Sequence, residues 1–190
     1  AVGPGLGGLP EVWLLIEPLL GSARPLVLDA DGLNALAHEQ HTLERDAATV
    51  LTPHPGEYKR LAEAAGIDLD PTDPAQRPDA AAALARHHHA VVLLKGRHTV
   101  VSDGARCYEN QTGNPALATA GSGDVLTGVT AALLAAGMDA FAAACLAAYV
   151  HGRAADDWCA AHGRSGLRAL ELADGLPDVF AALRQGSSSS

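Results

Sequence analysis

Three short apolar segments constrain the fold of this chain more than any other feature. They lie at residues 25–28, 49–52 and 90–94. Helical patterns separate them, which is typical of a parallel sheet whose strands are buried on both faces. Residues 99–102 and 106–109, joined by Asp103 and Gly104, predict a hairpin after the third strand. The sequence therefore predicts an α/β fold, a three-layer α/β/α sandwich with a mostly parallel sheet.

The 190 residues fit one domain, which we predict to span residues 1–185. Helices are expected at residues 9–20, 56–65 and 79–88 and from residue 124 onward, with breaks near Gly137, residues 163–166 and Gly175. Residues 186–190 hold no apolar side chain and predict a disordered, serine-rich tail. Because the chain starts without Met and enters a glycine-rich motif at once, we expect it to be a fragment that lacks an N-terminal part.

The charge balance limits the partners of the protein. A net charge of −9 and the lack of a basic stripe in the sequence argue against nucleic acid and against an anionic membrane. The apolar stretch at 125–150 is divided by Gly128, Gly137 and Asp139, which favours two packed helices over a membrane span. Three cysteines without metal-ligand spacing are interpreted as reduced thiols of a cytoplasmic protein. The expected partners are small molecules, and a homo-oligomer is compatible with the sequence.

Residues 121–124 open a predicted helix with the sequence Gly-Ser-Gly-Asp. The small residues Gly121, Ser122 and Gly123 allow backbone N–H groups to turn toward a ligand, and the positive end of the helix dipole favours an anion there. Asp124 would then lie where a hydroxyl that attacks a phosphoryl group loses its proton. From these residues alone, an Asp124 that merely caps its helix is an equal alternative.

Four segments with polar or glycine residues either follow the predicted strands or open a helix. They lie at residues 29–34, 53–57, 95–99 and 121–124. Ligands of open α/β sheets bind outside the carboxyl ends of the strands. The convergence of these motifs therefore predicts a ligand site at that edge of the sheet.

Five segments, in order along the chain, resemble the NAD(P)H-hydrate dehydratase family of the ribokinase-like superfamily. They read GPGLG at 3–7, LDADGLN at 28–34, LTPHPGE at 51–57, LKGRHT at 94–99 and NPALATAGSGDVLTG at 114–128. The ending at 166–177 is also similar, so the resemblance covers nearly the whole chain. It implies a ribokinase-like fold and a hydro-lyase that uses ADP or ATP to convert (S)-NAD(P)H hydrate into NAD(P)H, with Mg²⁺ accompanying the nucleotide.

The resemblance also implies a role for each matching residue. Asp124 would deprotonate the ring hydroxyl of the hydrate, while the amides of Gly121, Ser122 and Gly123 stabilise the transferred phosphoryl group. The substrate would contact Gly5, Gly7, His54, Asn114 and Asp124. The nucleotide would contact Lys95, Gly96, Arg97, His98, Thr99 and Gly123, with Lys95 compensating phosphate charge. Glu57 would position Mg²⁺ through water.

Alternative functions stay open at this point. A small-molecule kinase of the hydroxymethylpyrimidine or hydroxyethylthiazole type needs the same base and the same anion site. Gly3, Gly5 and Gly8 formally fit a dinucleotide fingerprint, so a Rossmann-type NAD-binding protein is a rival. A nucleotide-binding fragment without activity is a third alternative.

Individual residues also have structural interpretations. His54 could be an ordinary surface histidine, Glu57 a helix-dipole partner and Lys95 a solvated loop lysine. Asp29, Asp31 and Asn34 are expected mainly to form a turn after the first strand. The three histidines at 87–89 do not share a helix face, which argues against a metal site there.

Overall fold

The computed structural model describes residues 1–8 and 11–187, and its elements confirm the α/β prediction. The first half contains α1 (Glu11–Leu20), β1 (Leu26–Leu28), α2 (Ala30–His38), β2 (Thr49–Leu51), α3 (Pro55–Ala65) and α4 (Arg77–His88). The second half contains β3 (Val91–Leu94), β4 (Val100–Ser102), β5 (Cys107–Glu109), a 3₁₀ helix (Pro115–Leu117), α5 (Ser122–Ala135), α6 (Ala140–His162) and α7 (Ala169–Ser187). The first two residues of the helix predicted at 9–20 lie outside the described residues.

The described strands form one five-stranded sheet in chain order, β1-β2-β3-β4-β5. Strands β1, β2 and β3 are parallel, with Leu28 opposite Leu51 and Leu51 opposite Val92. The predicted hairpin adds β4 and β5 in antiparallel orientation, so the sheet is mixed. A Rossmann dinucleotide site lies where the strand order reverses. Because the order of the described strands never reverses, the topology does not support the Rossmann alternative.

Alternate residues of each strand point into two different cores, which gives the fold its three layers. Leu26 and Leu28 of β1 pack with side chains of α1 to α4 on one face of the sheet. Val27 of β1 and Val50 of β2 pack with α5 and α6 on the other face. All of these strand residues are buried, as expected for strands covered on both sides. The predicted α/β/α sandwich is therefore confirmed.

Helix α2 is an element that the sequence analysis did not predict. It begins one residue after β1, with Asp29 in extended conformation as its N-cap and Ala30 at a φ of +46°. The segment predicted as a turn is therefore the start of a helix. Asp31 and Asn34 lie on α2, where Asp31 accepts a hydrogen bond from the amide of Gly7 and Asn34 accepts one from Arg60.

Helix α7 corrects two further predictions. It passes through Gly175 and Pro177 without the predicted break, because its buried Leu172 and Val179 pack with α6 in one core cluster. It also includes residues 186 and 187, which the sequence assigned to a disordered tail, whereas residues 188–190 lie outside the described residues. The predicted breaks at Gly137 and near Gly163 are confirmed, since α5 and α6 end just before them.

No helix in the described residues is both long enough and apolar enough to cross a bilayer. Cys107, Cys145 and Cys159 are free thiols. The carboxyl ends of β1, β2 and β3 lie at one edge of the sheet, and the polar residues described next follow these ends.

Candidate functional site

A buried ion pair joins the carboxyl ends of β1 and β3. Lys95, directly after β3, places Nζ 2.6 Å from Oδ1 of Asp29, which directly follows β1. Thr127 of α5 donates its hydroxyl to the other oxygen of Asp29 at 2.7 Å, and Asp29 is only 1% exposed. Lys95 also lies 3.7 Å from Oε2 of Glu57 in α3. One lysine therefore faces two buried carboxylates, and its charge is compensated within the protein.

His54 and Glu57 form a capping box at the start of α3. The Nδ1 atom of His54 accepts the amide hydrogens of Gly56 and Glu57 at 2.9 and 3.3 Å, and Oε2 of Glu57 accepts the amide of His54 at 2.7 Å. The Nε2 atom of His54 lies 3.2 Å from Oε1 of Glu57. Both residues thus organise the turn after β2. A substrate contact by His54 and an indirect metal contact by Glu57 stay predictions.

The glycine loop opens α5 as the sequence predicts. Gly121 is the N-cap residue, with a φ of +83° that favours glycine, and no side chain caps the helix. Within the described residues, the amides of Gly121, Gly123 and Asp124 donate no hydrogen bond, whereas the amide of Ser122, which the sequence grouped with those of Gly121 and Gly123, donates to the carbonyl of Thr119 at 3.3 Å. Asp124 is the third residue of the helix and is exposed, so it does not cap the helix. Free amides at the positive end of a helix form a site for an anion.

A cavity of about 1040 Å³ opens beside this helix start. Eight of the predicted site residues line it: Lys95, Gly96, Arg97, His98, Thr99, Asn114, Ser122 and Gly123. The two parts of the wall meet closely, since a Cβ atom added to Gly123 would lie 3.5 Å from Nζ of Lys95. The volume is at the upper end of the range for small-molecule sites and suits a ligand the size of a nucleotide.

The segment at 95–99 is held in an irregular conformation at this cavity. The amide of Lys95 donates to the carbonyl of Pro53 at 2.8 Å, and the hydroxyl of Thr99 donates to the carbonyl of Gly96 at 3.0 Å. Gly96 and His98 have φ values of +143° and +52°. In the described part of the chain, the amides of Gly96, Arg97 and His98 have no hydrogen-bond partner. These amides are free to bind a ligand.

Helix α6 contributes residues that the sequence analysis missed, beginning with His151. This residue is buried, lines the cavity, and donates from Nε2 to the carbonyl of Ser122 at 2.9 Å. Burial lowers the pKa of His151; the hydrogen bond to Ser122 opposes this shift, and the positive charge of Lys95 adds to it. The histidine therefore fixes the first turn of α5, where the free amides lie.

Asp156 and Cys159, one and two turns further along α6, fix the loop that carries Asn114. Asp156 accepts the amide of Gly113 and the side-chain amide of Asn114, both at 2.8 Å. The oxygen of the Asn114 side chain accepts from Ala116 and from the thiol of Cys159. Asn114 lines the cavity, but both polar atoms of its side chain are bonded within the chain. The helical spacing of these polar residues in an alanine-rich helix is the signal that could have identified them.

Six predicted site residues do not line the cavity: Gly5, Gly7, His54, Glu57, Gly121 and Asp124. Gly121 and Asp124 directly flank residues that do. Gly5 and Gly7 have left-handed φ values of +71° and +82° and lie in the segment before α1. Gly3 packs so tightly that a Cβ atom there would overlap the carbonyl of Asp29. The glycine segment is therefore fixed beside the end of β1, next to the ion pair.

The residues present do not form a metal site by themselves. Within the described residues, no three His, Cys, Asp or Glu side chains are placed to hold a metal ion. Mg²⁺ prefers oxygen ligands and is often held by one or two carboxylates together with substrate phosphates. Asp29 and Glu57 supply carboxylate oxygens at this edge, but Lys95 and neighbouring groups already occupy them. This donor set fits a Mg²⁺ that arrives with a nucleotide and not a resident metal.

The sheet and the position of the cavity define a domain of the ribokinase-like class, and solved structures agree. Ribokinase from Thermotoga maritima superposes with a TM-score of 0.54 at 14% identity, over 83% of this chain and 57% of that one. An ADP/ATP-dependent NAD(P)H-hydrate dehydratase from Bacillus subtilis, co-crystallised with ATP/Mg²⁺ and soaked with CoA, has a TM-score of 0.84 at 34% identity, over 95% of this chain and 64% of that chain.

Residues 1–178 match the carbohydrate-kinase-type family described as NAD(P)H-hydrate dehydratase, so the chain belongs to this family. Among its relatives, the bifunctional NAD(P)H-hydrate repair enzyme of Moorella thermoacetica is 46% identical over 191 residues. That match covers 97% of this chain and 35% of the relative. The chain thus spans about a third of the length of the bifunctional relative it matches.

Proposed function

We propose that this domain catalyses the dehydration of (S)-NAD(P)H hydrate to NAD(P)H at the expense of ADP or ATP, and so repairs hydrated nicotinamide cofactors. One observation carries the proposal: the free amides at the start of α5 lie beside the cavity that residues 95–99 line. A phosphoryl donor can occupy such a cavity with its transferred group at the helix N-terminus. Membership of the dehydratase family supports the choice of substrate.

The reaction would proceed in two steps. In the first step, Asp124 takes the proton of the ring hydroxyl while the hydroxyl oxygen attacks the terminal phosphoryl group of the nucleotide. The rest of the nucleotide leaves, as AMP when the donor is ADP and as ADP when the donor is ATP. The amides of Gly121, Gly123 and Asp124 stabilise the charge on the phosphoryl oxygens. The C–O bond of the phosphate ester then breaks, inorganic phosphate leaves with the electron pair, and loss of a neighbouring C–H proton restores the ring double bond.

The cavity wall formed by Lys95, Gly96, Arg97, His98 and Thr99 would hold the nucleotide, and the side of the site near Gly5, Gly7 and His54 would hold the hydrate. Mg²⁺ bound to the nucleotide would neutralise part of its charge, and Glu57, whose carboxylate already contacts His54 and Lys95, would reach that Mg²⁺ through water. We further propose a cytoplasmic location, which agrees with three free thiols. A homo-oligomeric state stays a prediction.

The function is tested with the full-length protein that carries this chain. Hydrated NADH, Mg²⁺ and either ADP or ATP are added, and we expect the absorbance of reduced nicotinamide to return together with release of inorganic phosphate. In a parallel reaction, a small alcohol such as hydroxyethylthiazole replaces hydrated NADH. If hydrated NADH stays unchanged while this alcohol accumulates as a stable phosphate ester, the protein is a kinase of the same fold.

Asp124→Asn tests the proposed base. Asp124 is exposed, and its carboxylate has no hydrogen-bond partner in the described residues, so the variant should fold with nearly unchanged stability. Loss of the proton acceptor should lower kcat by about a hundredfold or more. A variant with normal kcat but a lower melting temperature would show instead that Asp124 serves only the helix dipole.

A further inference from the structure

Arg77, the first residue of α4, is a buried cation that forms no ion pair within the described residues; the charge of Glu109 acts on it from beyond ion-pair distance and opposes the lowering of its pKa by burial. It is 8% exposed and belongs to none of the ion pairs of that part of the chain. Its guanidinium donates to the carbonyl of Pro71 at 2.6 Å, to that of Leu94 at 3.1 Å and to that of Lys95 at 3.4 Å. The Nε atom has no hydrogen-bond partner among residues 1–8 and 11–187. Burial of a charge without an ion-pair partner is costly, and the three carbonyls offset only part of that cost.

The guanidinium lies directly beneath the segment at 95–99. A Cβ atom added to Gly96 would approach Nη2 and Nη1 of Arg77 to 3.2 and 3.3 Å. Arg77 therefore binds the two carbonyls that precede the irregular turn and touches its first glycine. These two carbonyls are thus satisfied from the protein side, whereas the amides of Gly96, Arg97 and His98 have no partner within the described residues.

We propose that Arg77 is a positioning residue for the nucleotide: it fixes the backbone of residues 95–99 and places a positive charge behind that backbone. The inference rests on the proposed function. Lys95 faces two carboxylates, so the buried cation without such a partner at this wall is Arg77. Its role differs from that of a direct phosphate ligand, because the side chain points to main-chain carbonyls and not into the cavity lining.

Calorimetric titration of Mg²⁺–ADP into the full-length protein and its Arg77→Met variant tests the inference. We expect the Kd for Mg²⁺–ADP to rise about tenfold, which corresponds to one charge-assisted interaction. Arg77 does not reach the side of the site that would hold the hydrate, so the KM for hydrated NADH should change by less than about twofold. A tenfold change would correspond to about 1.4 kcal/mol. A merely structural residue would not separate these two constants.

Arg45→Met is the matched control for lost stability. Arg45 is also partly buried and donates to main-chain carbonyls, including those of Leu20 at the end of α1 and of Ser22, but it lies near the amino ends of β1 and β2. It should lower the melting temperature and leave the Kd for Mg²⁺–ADP unchanged. Equal weakening of Mg²⁺–ADP binding by Arg45→Met and Arg77→Met would overturn the inference, and so would an unchanged Kd in Arg77→Met.

Arg77→Lys decides the question if Arg77→Met does not fold. Lysine keeps the charge but cannot reach three carbonyls, so we expect the Kd for Mg²⁺–ADP to rise about threefold, and an unchanged Kd would contradict the inference. If the wild-type protein binds neither Mg²⁺–ADP nor Mg²⁺–ATP, the proposed function fails, and the inference fails with it; if it binds only Mg²⁺–ATP, the same titrations are made with Mg²⁺–ATP. Binding by the wild type together with unchanged variants overturns only the inference.

Discussion

Lys95→Met should destabilise the folded protein strongly. When the 2.6 Å contact from Lys95 is lost, Asp29 keeps only the hydroxyl of Thr127 and stays 1% exposed. Removal of one partner of a buried ion pair costs about 3 to 5 kcal/mol, because the remaining charge is still buried. For a domain of this size, that lowers the melting temperature by about 6 to 20 °C.

Addition of Asp29→Asn to the same chain should restore part of the loss. The neutral amide does not require a counter-ion, and its oxygen can still accept from Thr127. We expect the double variant to regain about 1 to 3 kcal/mol relative to Lys95→Met, as coupled neighbours do. Lys59→Met is the control: Lys59 is 61% exposed and lies 3.9 Å from Asp70, so its loss should cost at most about 1 kcal/mol.

Thermal and urea unfolding followed by circular dichroism measure these differences. We expect neither unfolding of Lys95→Met at the wild-type midpoint nor a double variant that is no more stable than Lys95→Met. Either result would mean that Asp29 tolerates burial without Lys95. The lysine would then be free to act mainly on a ligand, as the sequence interpretation assumed.

Two further predictions concern His88 and Gly152. Burial, with a smaller contribution from neighbouring histidines, lowers the pKa of His88 from 6.5 to about 4, and neither ring nitrogen has a hydrogen-bond partner in the part of the chain that the structure describes. As the pH falls, the unfolded chain binds a proton at His88 before the folded protein does, so the free energy of unfolding should fall by about 3 kcal/mol between pH 6.5 and pH 4. Urea unfolding of His88→Leu over the same pH range should not show this decrease. In Gly152→Ala the new Cβ would lie 2.6 and 2.7 Å from backbone atoms of Thr112, so the melting temperature should fall by a few degrees or more, whereas Gly128→Ala, with open space around it, should not lower it.

The sequence identified the parts of the site that are contiguous along the chain. Glycine and small residues at 121–123 predicted the open start of α5, because few other sequences permit a left-handed N-cap followed by free amides. The strands at 26–28, 49–51 and 91–94 could be predicted equally well, because buried parallel strands have uniformly apolar sequences. The turn at Asp103 and Gly104 predicted the hairpin for the same local reason.

Interactions between distant segments could not be read in this way. The sequence treated Lys95 as a free cation, because its partner Asp29 is 66 residues away. It treated His54 as a presented side chain, although a proline on each side equally suits a helix N-cap whose ring accepts the amides of the next turn. His151 and Arg77 were missed because each acts on carbonyls of another element, and no local motif records such a contact.

The charges at this edge decide how the domain can bind an anionic nucleotide. Asp29 and Glu57 against Lys95 leave a net charge of −1 at the ion pair, within a chain of net charge −9. These two carboxylates and the charge of the whole chain therefore oppose a phosphate, although Arg97 and Arg164 line the cavity. The free amides of α5 and of residues 96–98 are different, because a neighbouring carboxylate cannot neutralise a fixed backbone dipole. Their effect depends on orientation, so residues that hold backbone in place, such as Arg77 and His151, should matter more for nucleotide affinity than additional surface cations would.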